Sequence, residues 1–396
     1  MRQSAVGFES RGRTITEPLI ELVLASPDNP VAGFFSFLIA HARQRDLLQG
    51  TAFAQRAAAS GHLVLCRALA NHFCWGINWS EASMTADLAV LECLLRHPDF
   101  GIRRLSVSAL RPLGRFLPER AVALALSVEL DDSGELAEDL CAVFQNELGI
   151  PSSSLSEDDM VILLRKLGPV DRLNHHVIEL LAFASARLPR EVICLLLDRV
   201  ERGEREYDRD FDPLPYLGLH PALTALADCR EYEEILRVVR DRSLQVDFRS
   251  SFWFPKLFKE VSLRFCPASL KVLGEWIDSG DAQKIAAATV LLTEAPASFV
   301  FEQREFVTNA LARAYAAGDE CYQRVCHHLR RCVVAQGRQR VGGGPFPQDV
   351  SLRDRAASAC ALLRRGSPDY RFYQSLMTEA VANIRETEAA DEEILG

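Results

Sequence analysis

The sequence predicts an all-α chain folded as an α-solenoid of helix–turn–helix repeats, about nine helix pairs in all. Three observations carry that prediction. Leu and Ala dominate segment after segment, with apolar residues three and four apart, the spacing that lines one face of a helix. Alternating runs of β-branched residues, the mark of strands, are missing. Turn acids recur at helix-pair spacing: Asp99 to Asp132 is 33 residues, Asp241 to Asp278 is 37, and Asp278 to Asp319 is 41.

The elements follow in order. Residues 1–14 read as a flexible N-terminus and 15–336 as the repeats. In 18–42 two apolar helices flank a turn at Asp28, and a further unit turns near Ser60-Gly61. The clearest unit is LECLLRHPDFGIRRLSVSALRPLGRFL at 91–117. Its first helix stops near His97-Pro98, and Asp99 begins a second whose apolar face is Ile102, Leu105, Ala109, Leu113 and Phe116. Pro112 lacks an N–H and should kink or end that helix. Units at 121–144 and 268–292 repeat the pattern. An Asp or Ser at a helix start accepts bonds from unpaired N–H groups, a part Ser279 or Asp281 would play in the second of these.

Two interruptions punctuate the pattern. The charged stretch 201–220 reads as a loop between repeats, and 337–350, with four Gly and two Pro, as another. Residues 351–365 and 369–388 read as closing helices within a capping segment, 351–396. Six acids against one Arg in 378–396 give that tail a net of −5, leaving about −4 of the chain's −9 for the rest.

The 91–117 unit, with its Pro-Asp turn, the Arg103-Arg104 pair where a Val-Arg is frequent, Ala109-Leu110 and Leu113-Gly114, resembles the HEAT/armadillo superfamily of helical repeats. As periodicity the resemblance spans most of 15–335. Other units depart from the motif: 121–144 has Leu136-Ala137 where the Val-Arg pair would fall. Residues from about 252 onward are similar to a C-terminal segment of uncharacterised bacterial helical-repeat proteins. The resemblance implies a HEAT-like fold and no activity.

Composition narrows function. At 48% hydrophobic and 25% charged, the 396 residues match ordinary globular proteins, and a net acidic chain is a poor match for a surface that is wholly a nucleic-acid footprint. Eleven scattered cysteines, mostly in apolar helical runs, read as reduced thiols. The opening MRQSAVGFESRGRTITEP has no apolar core of a signal peptide. The run VAGFFSFLIA at 31–40 is half of the roughly 20 residues a spanning helix needs. A cytoplasmic protein away from the membrane is expected.

No GxxxxGK[ST], GxGxxG, HExxH, CxxC or GxSxG occurs, so neither a catalytic centre nor a cofactor is expected. Cys321, His328 and Cys332 share a helix face, yet a single helix rarely supplies four zinc ligands, and buried packing accounts for them. Asp208, Asp210 and Asp212 have calcium-loop spacing, but Pro213 and Leu219 stand where such a loop needs Gly and Glu. No metal site is read.

The candidate binding stretch is 237–265. Arg237, Arg240, Arg242, Arg249, Lys256, Lys259 and Arg264 outnumber its acids by four, with Phe248, Phe252, Trp253, Phe254, Phe258 and Phe265 interleaved. Arg237, Arg240, Arg242, Arg249, Trp253, Lys256 and Lys259 form the candidate set. Exposed rings and guanidinium groups suit either stacked bases or an acidic peptide; the same rings also suit packing between repeats. The expected function is a non-enzymatic scaffold or docking platform for a protein partner, as the interaction or sensor component of a multi-protein bacterial system. The alternative is nucleic-acid binding through 237–265. A third reading follows from the helical-repeat DNA glycosylases, which place an Asp among Trp residues; Trp75, Trp79, Trp276 and Asp278 form no such constellation in the sequence.

Overall fold

The computed structural model describes residues 15–75, 77–130, 134–145, 149–206, 210–215, 218–245, 251–334 and 344–395. The chain is all-α, with no strand among the described residues. It divides into two compact units, Met1–Leu195 with Asp210–Pro215, and Leu196–Arg209 with Tyr216–Gly396.

The first unit holds α1 (Thr16–Ala25), α2 (Phe35–Arg45), α3 (Leu47–Ser60), α4 (Leu63–Trp75), α5 (Met84–Leu95) and α6 (Phe100–Ser108). It continues through α7 (Leu110–Phe116), α8 (Pro118–Ser127), α9 (Gly134–Val143), α10 (Glu157–Leu167) and α11 (His175–Arg187); α12 (Pro189–Arg205) begins in it. Helices pack on their chain neighbours and on helices further along, α2 on α4, α3 on α5, α4 on α6, α6 on α9 and α9 on α11. The second unit holds α13 (His220–Leu223), α14 (Tyr232–Ser243), α15 (Trp253–Val261), α16 (Pro267–Asp278), α17 (Ala282–Val290) and α18 (Phe299–Glu302). Then come α19 (Arg304–Ala317), α20 (Asp319–Val334), α21 (Pro347–Ala361) and α22 (Pro368–Leu395), with α14 on α16, α17 on α20 and α21 on α22.

Local chemistry sets the helix ends. Asp99 accepts from the Ile102 N–H, Asp281 from those of Gln283 and Lys284, and Ser156 with Asp159 forms a reciprocal capping box. Gly61 ends α3 at φ 64°, a left-handed position that Gly fills without strain. Ser279, the other expected cap, instead follows the end of α16 and donates to the Trp276 carbonyl.

Several expectations need correction. Residues 201–205 continue α12, because their charges find partners, Glu201 with Arg242, Arg202 with Glu206 and Glu204 with the N–H groups at 252–254, while the helix hydrogen bonds run on. The second expected loop gives way to α21 at Pro347, since a proline at a first helical position loses nothing by lacking an N–H. Asp241 lies inside α14 and Asp278 ends α16, so neither is a turn cap. The unit at 100–116 breaks at Ala109, leaving the Ser108 carbonyl free of the bond that Pro112 cannot give. That break turns Phe116 outward, and Ser106, Val107 and Leu110 complete the buried face with Ile102, Ala109 and Leu113.

Polar side chains cross between helices, several of them over 31 to 38 residues of chain. Arg56 grips Glu21 and Arg104 grips Asp139, each 35 residues apart; Lys271 reaches Glu233 and Arg237 reaches Glu275 across 38; Asn309 reaches Asp278 across 31. One pair is internal: Arg43 meets Asp87 through two hydrogen bonds of 2.5 and 2.7 Å, both side chains buried.

Candidate binding site

Helices α14 and α15 carry most of the basic, aromatic stretch. Arg249, with Asp247 and Phe248, lies outside the described residues. The amphipathic pattern of α14 buries Tyr232, Ile235, Leu236 and Val239, and takes Arg240 in with them. Buried so, Arg240 donates to the Val272 carbonyl at 2.6 Å and to Glu275 at 2.8 Å, with its guanidinium 4.7 Å from the centre of the Trp276 ring. Arg237 binds the same carboxylate at 2.7 Å and reaches Glu233 at 3.3 Å. Hydrogen bonds from Arg237 first, then from Arg240, hold the Glu275 carboxyl down at about 2 against the opposing effect of burial. Arg242 is bonded to Glu201 and lies 3.4 Å from Asp198.

The α15 end is more open. One carboxylate oxygen of Glu204 accepts from Ser251 Oγ and from the N–H groups of Phe252, Trp253 and Phe254, capping the helix from a distant part of the chain. Lys256 sits with Nζ 3.7 Å from the centre of the exposed Phe252 ring and 4.8 Å from that of half-buried Trp253. Phe254, Phe258 and Phe265 are core, with Phe265 packed on Phe258 and Phe299. The aromatic stretch therefore divides, one part packing and one part facing water.

Between α15 and α16 the backbone makes a left-handed turn at three successive side-chain-bearing residues, Leu263, Arg264 and Phe265, with φ of 49°, 62° and 64°. Such a run costs roughly 1–2 kcal/mol per residue and must be held by its surroundings. It places Arg264 beside Lys259 on a cleft of about 470 Å³, completed by Phe265, Thr293, Glu294, Ala295, Pro296 and Cys332. Lys259 faces Glu294 there at 3.9 Å. Arg264, outside the candidate set, thus joins Lys259 in one cleft, while Arg237, Arg240 and Arg242 are engaged by carboxylates. No sequence signal marks this turn, because none of its residues is Gly or Asn.

Residues of the remaining candidate clusters have partners of their own. Cys321 Sγ donates to the Ala282 carbonyl, Cys332 Sγ to that of Leu292, and His328 bonds Thr289, so the stripe on α20 faces α17 with a separate partner for each group. Burial pushes the Cys332 thiol up to about 12 and the His328 imidazole down to about 4. Of the three aspartates with calcium spacing, Asp208 lies outside the described residues, and Asp212 pairs with Arg172 at 3.4 Å. Trp276 is buried under Arg240, Trp79 packs edge-on against Phe73, and Asp278 bonds Asn309. Among the described residues no helix is long and apolar enough to cross a membrane. No protein-family model matches the chain, and no curated protein matches it.

Proposed function

We propose that the protein is a non-enzymatic docking platform for a protein partner, built as an α-solenoid of HEAT-like helix pairs. The solenoid reading is supported by polar bridges that span 31, 35 and 38 residues, close to the 33- to 41-residue spacing of the turn acids. The partner reading rests on one observation. Phe37 is 72% exposed, Leu48 66% and Phe34 63%, and Ile15, Leu22, Leu63 and Val64 are exposed with them, all within 50 residues of chain. Single exposed apolar residues are ordinary; so many large ones in so short a span fit anchors for another protein. Binding to nucleic acid through 237–265 is the less favoured reading, because three of its arginines are already bound to carboxylates. Exposed Phe252 with Lys256, and the Lys259–Arg264 cleft, are what speak for it.

The test is affinity purification of tagged protein at low and high salt, from nuclease-treated and untreated lysates. A stoichiometric protein that survives both treatments and is lost with Phe37→Asp is the expected result. Recovery of nucleic acid that disappears at high salt would refute it in favour of the basic stretch.

A further inference from the structure

We propose that the first unit carries a divalent transition-metal site made by His175, His176 and Glu179 at the start of α11, with Glu138 of α9 orienting it. The ligand-type atoms of these three residues all lie within 4.8 Å of one another. His175 Nε2 is 3.4 Å from one oxygen of Glu179, and His176 Nδ1 is 2.9 Å from the other. Ligands at zinc's usual bond lengths lie roughly 3.3 Å apart around a tetrahedral ion, so little movement brings them to one centre.

The hydrogen bonds point to where that ion sits. The amide nitrogen of Gln145 donates to Glu179 at 2.7 Å and lies 2.5 Å from His176 Nδ1. Two acceptor lone pairs thus converge on one donor, the arrangement a cation replaces when the amide swings away. With Nδ1 accepting, the proton of His176 is on Nε2, which faces a Glu138 oxygen at 3.9 Å. That carboxylate also accepts from the His176 backbone N–H at 3.0 and 3.1 Å, fixing the residue's position. A carboxylate behind a ligating imidazole is the usual orienting partner of bound zinc. The positive end of the helix dipole works against a cation here, and the charges of Glu138 and Glu179 offset it.

Two imidazoles and a carboxylate select a borderline ion such as Zn²⁺ over Mg²⁺ or Ca²⁺ and leave a coordination position open. His175-His176 with Glu179, a His-His-x-x-Glu run opening a helix, matches none of the common metal-binding sequence signatures, so the site becomes visible only in the fold.

The test is equilibrium dialysis of the full chain against Zn²⁺, with Co²⁺ as a spectroscopic substitute. A single zinc per chain is expected, lost with His176→Ala, weakened roughly 10-fold or more by Glu138→Gln, and giving a cobalt spectrum free of thiolate charge transfer. Glu179→Gln, a change at an exposed position, repeats the test should His176→Ala disturb folding. Failure to retain zinc, retention undiminished by Glu179→Gln, or a cobalt–thiolate band from the cysteines would each overturn the proposal.

Discussion

Replacing Asp87 by Ala is expected to destabilise the first unit severely. Asp87 is fully buried, and its two oxygens receive Nη1 and Nη2 of buried Arg43. Without the carboxylate, the guanidinium keeps Thr51 at 2.8 Å and Ser83 at 3.4 Å, neutral hydroxyls that leave its charge uncompensated. Arg43 has no room to retreat, because α3 approaches so closely at Gly50 that a Cβ there would stand 2.6 Å from the Arg43 backbone nitrogen. Breaking one side of such a buried pair costs about 3–5 kcal/mol, whereas replacing both partners with apolar residues of similar volume is often neutral. For a unit of this size that is a fall of roughly 6–20 °C in melting temperature. Thermal unfolding followed by circular dichroism, on wild type, Asp87→Ala, and the double variant Arg43→Met with Asp87→Leu, measures it. A loss below about 1 kcal/mol in the single variant, or a double variant no more stable than the single, would show that the pair is not what holds α2 to α5.

Two further outcomes follow from burial and capping. Burial pushes His72 down to about 4, as it does His328, so both stay neutral in the folded chain while unfolded histidines protonate near 6.5. Their folded pKa lies below the unfolded value, so stability is full above 6.5 and falls as pH drops toward 4, by roughly 3 kcal/mol for His72; urea titrations across that window should show the slope, reduced in His72→Leu. Removing the shared cap of α15 with Glu204→Ala should cost about 0.5–2 kcal/mol and speed amide exchange at Phe252, Trp253 and Phe254, leaving α14 unchanged.

The sequence alone determined what acts over a few residues. Helical class, the cap at Asp99 and the turn at Ser60-Gly61 come from backbone geometry and from side chains bonding within one turn, whereas Asp281 rather than Ser279 as the cap of α17 was decided by the fold. That Cys321, His328 and Cys332 share one helix face was likewise legible, because residues seven and four apart line up on a helix; the separate partner each finds came only with the fold. What the charges and rings do was decided only in three dimensions. Arg237 and Arg240 find Glu275 across 38 and 35 residues, and Arg242 finds Glu201 across 41, so the α14 part of a stretch that reads as a basic patch is neutralised by neighbouring helices. Arg264 reaches the Lys259 cleft through a strained turn, and His176 meets Glu138 across 38 residues; neither has a local signature. Helical periodicity tells which face of a helix is apolar, but which charges that face meets depends on the register with which the next pair packs against it.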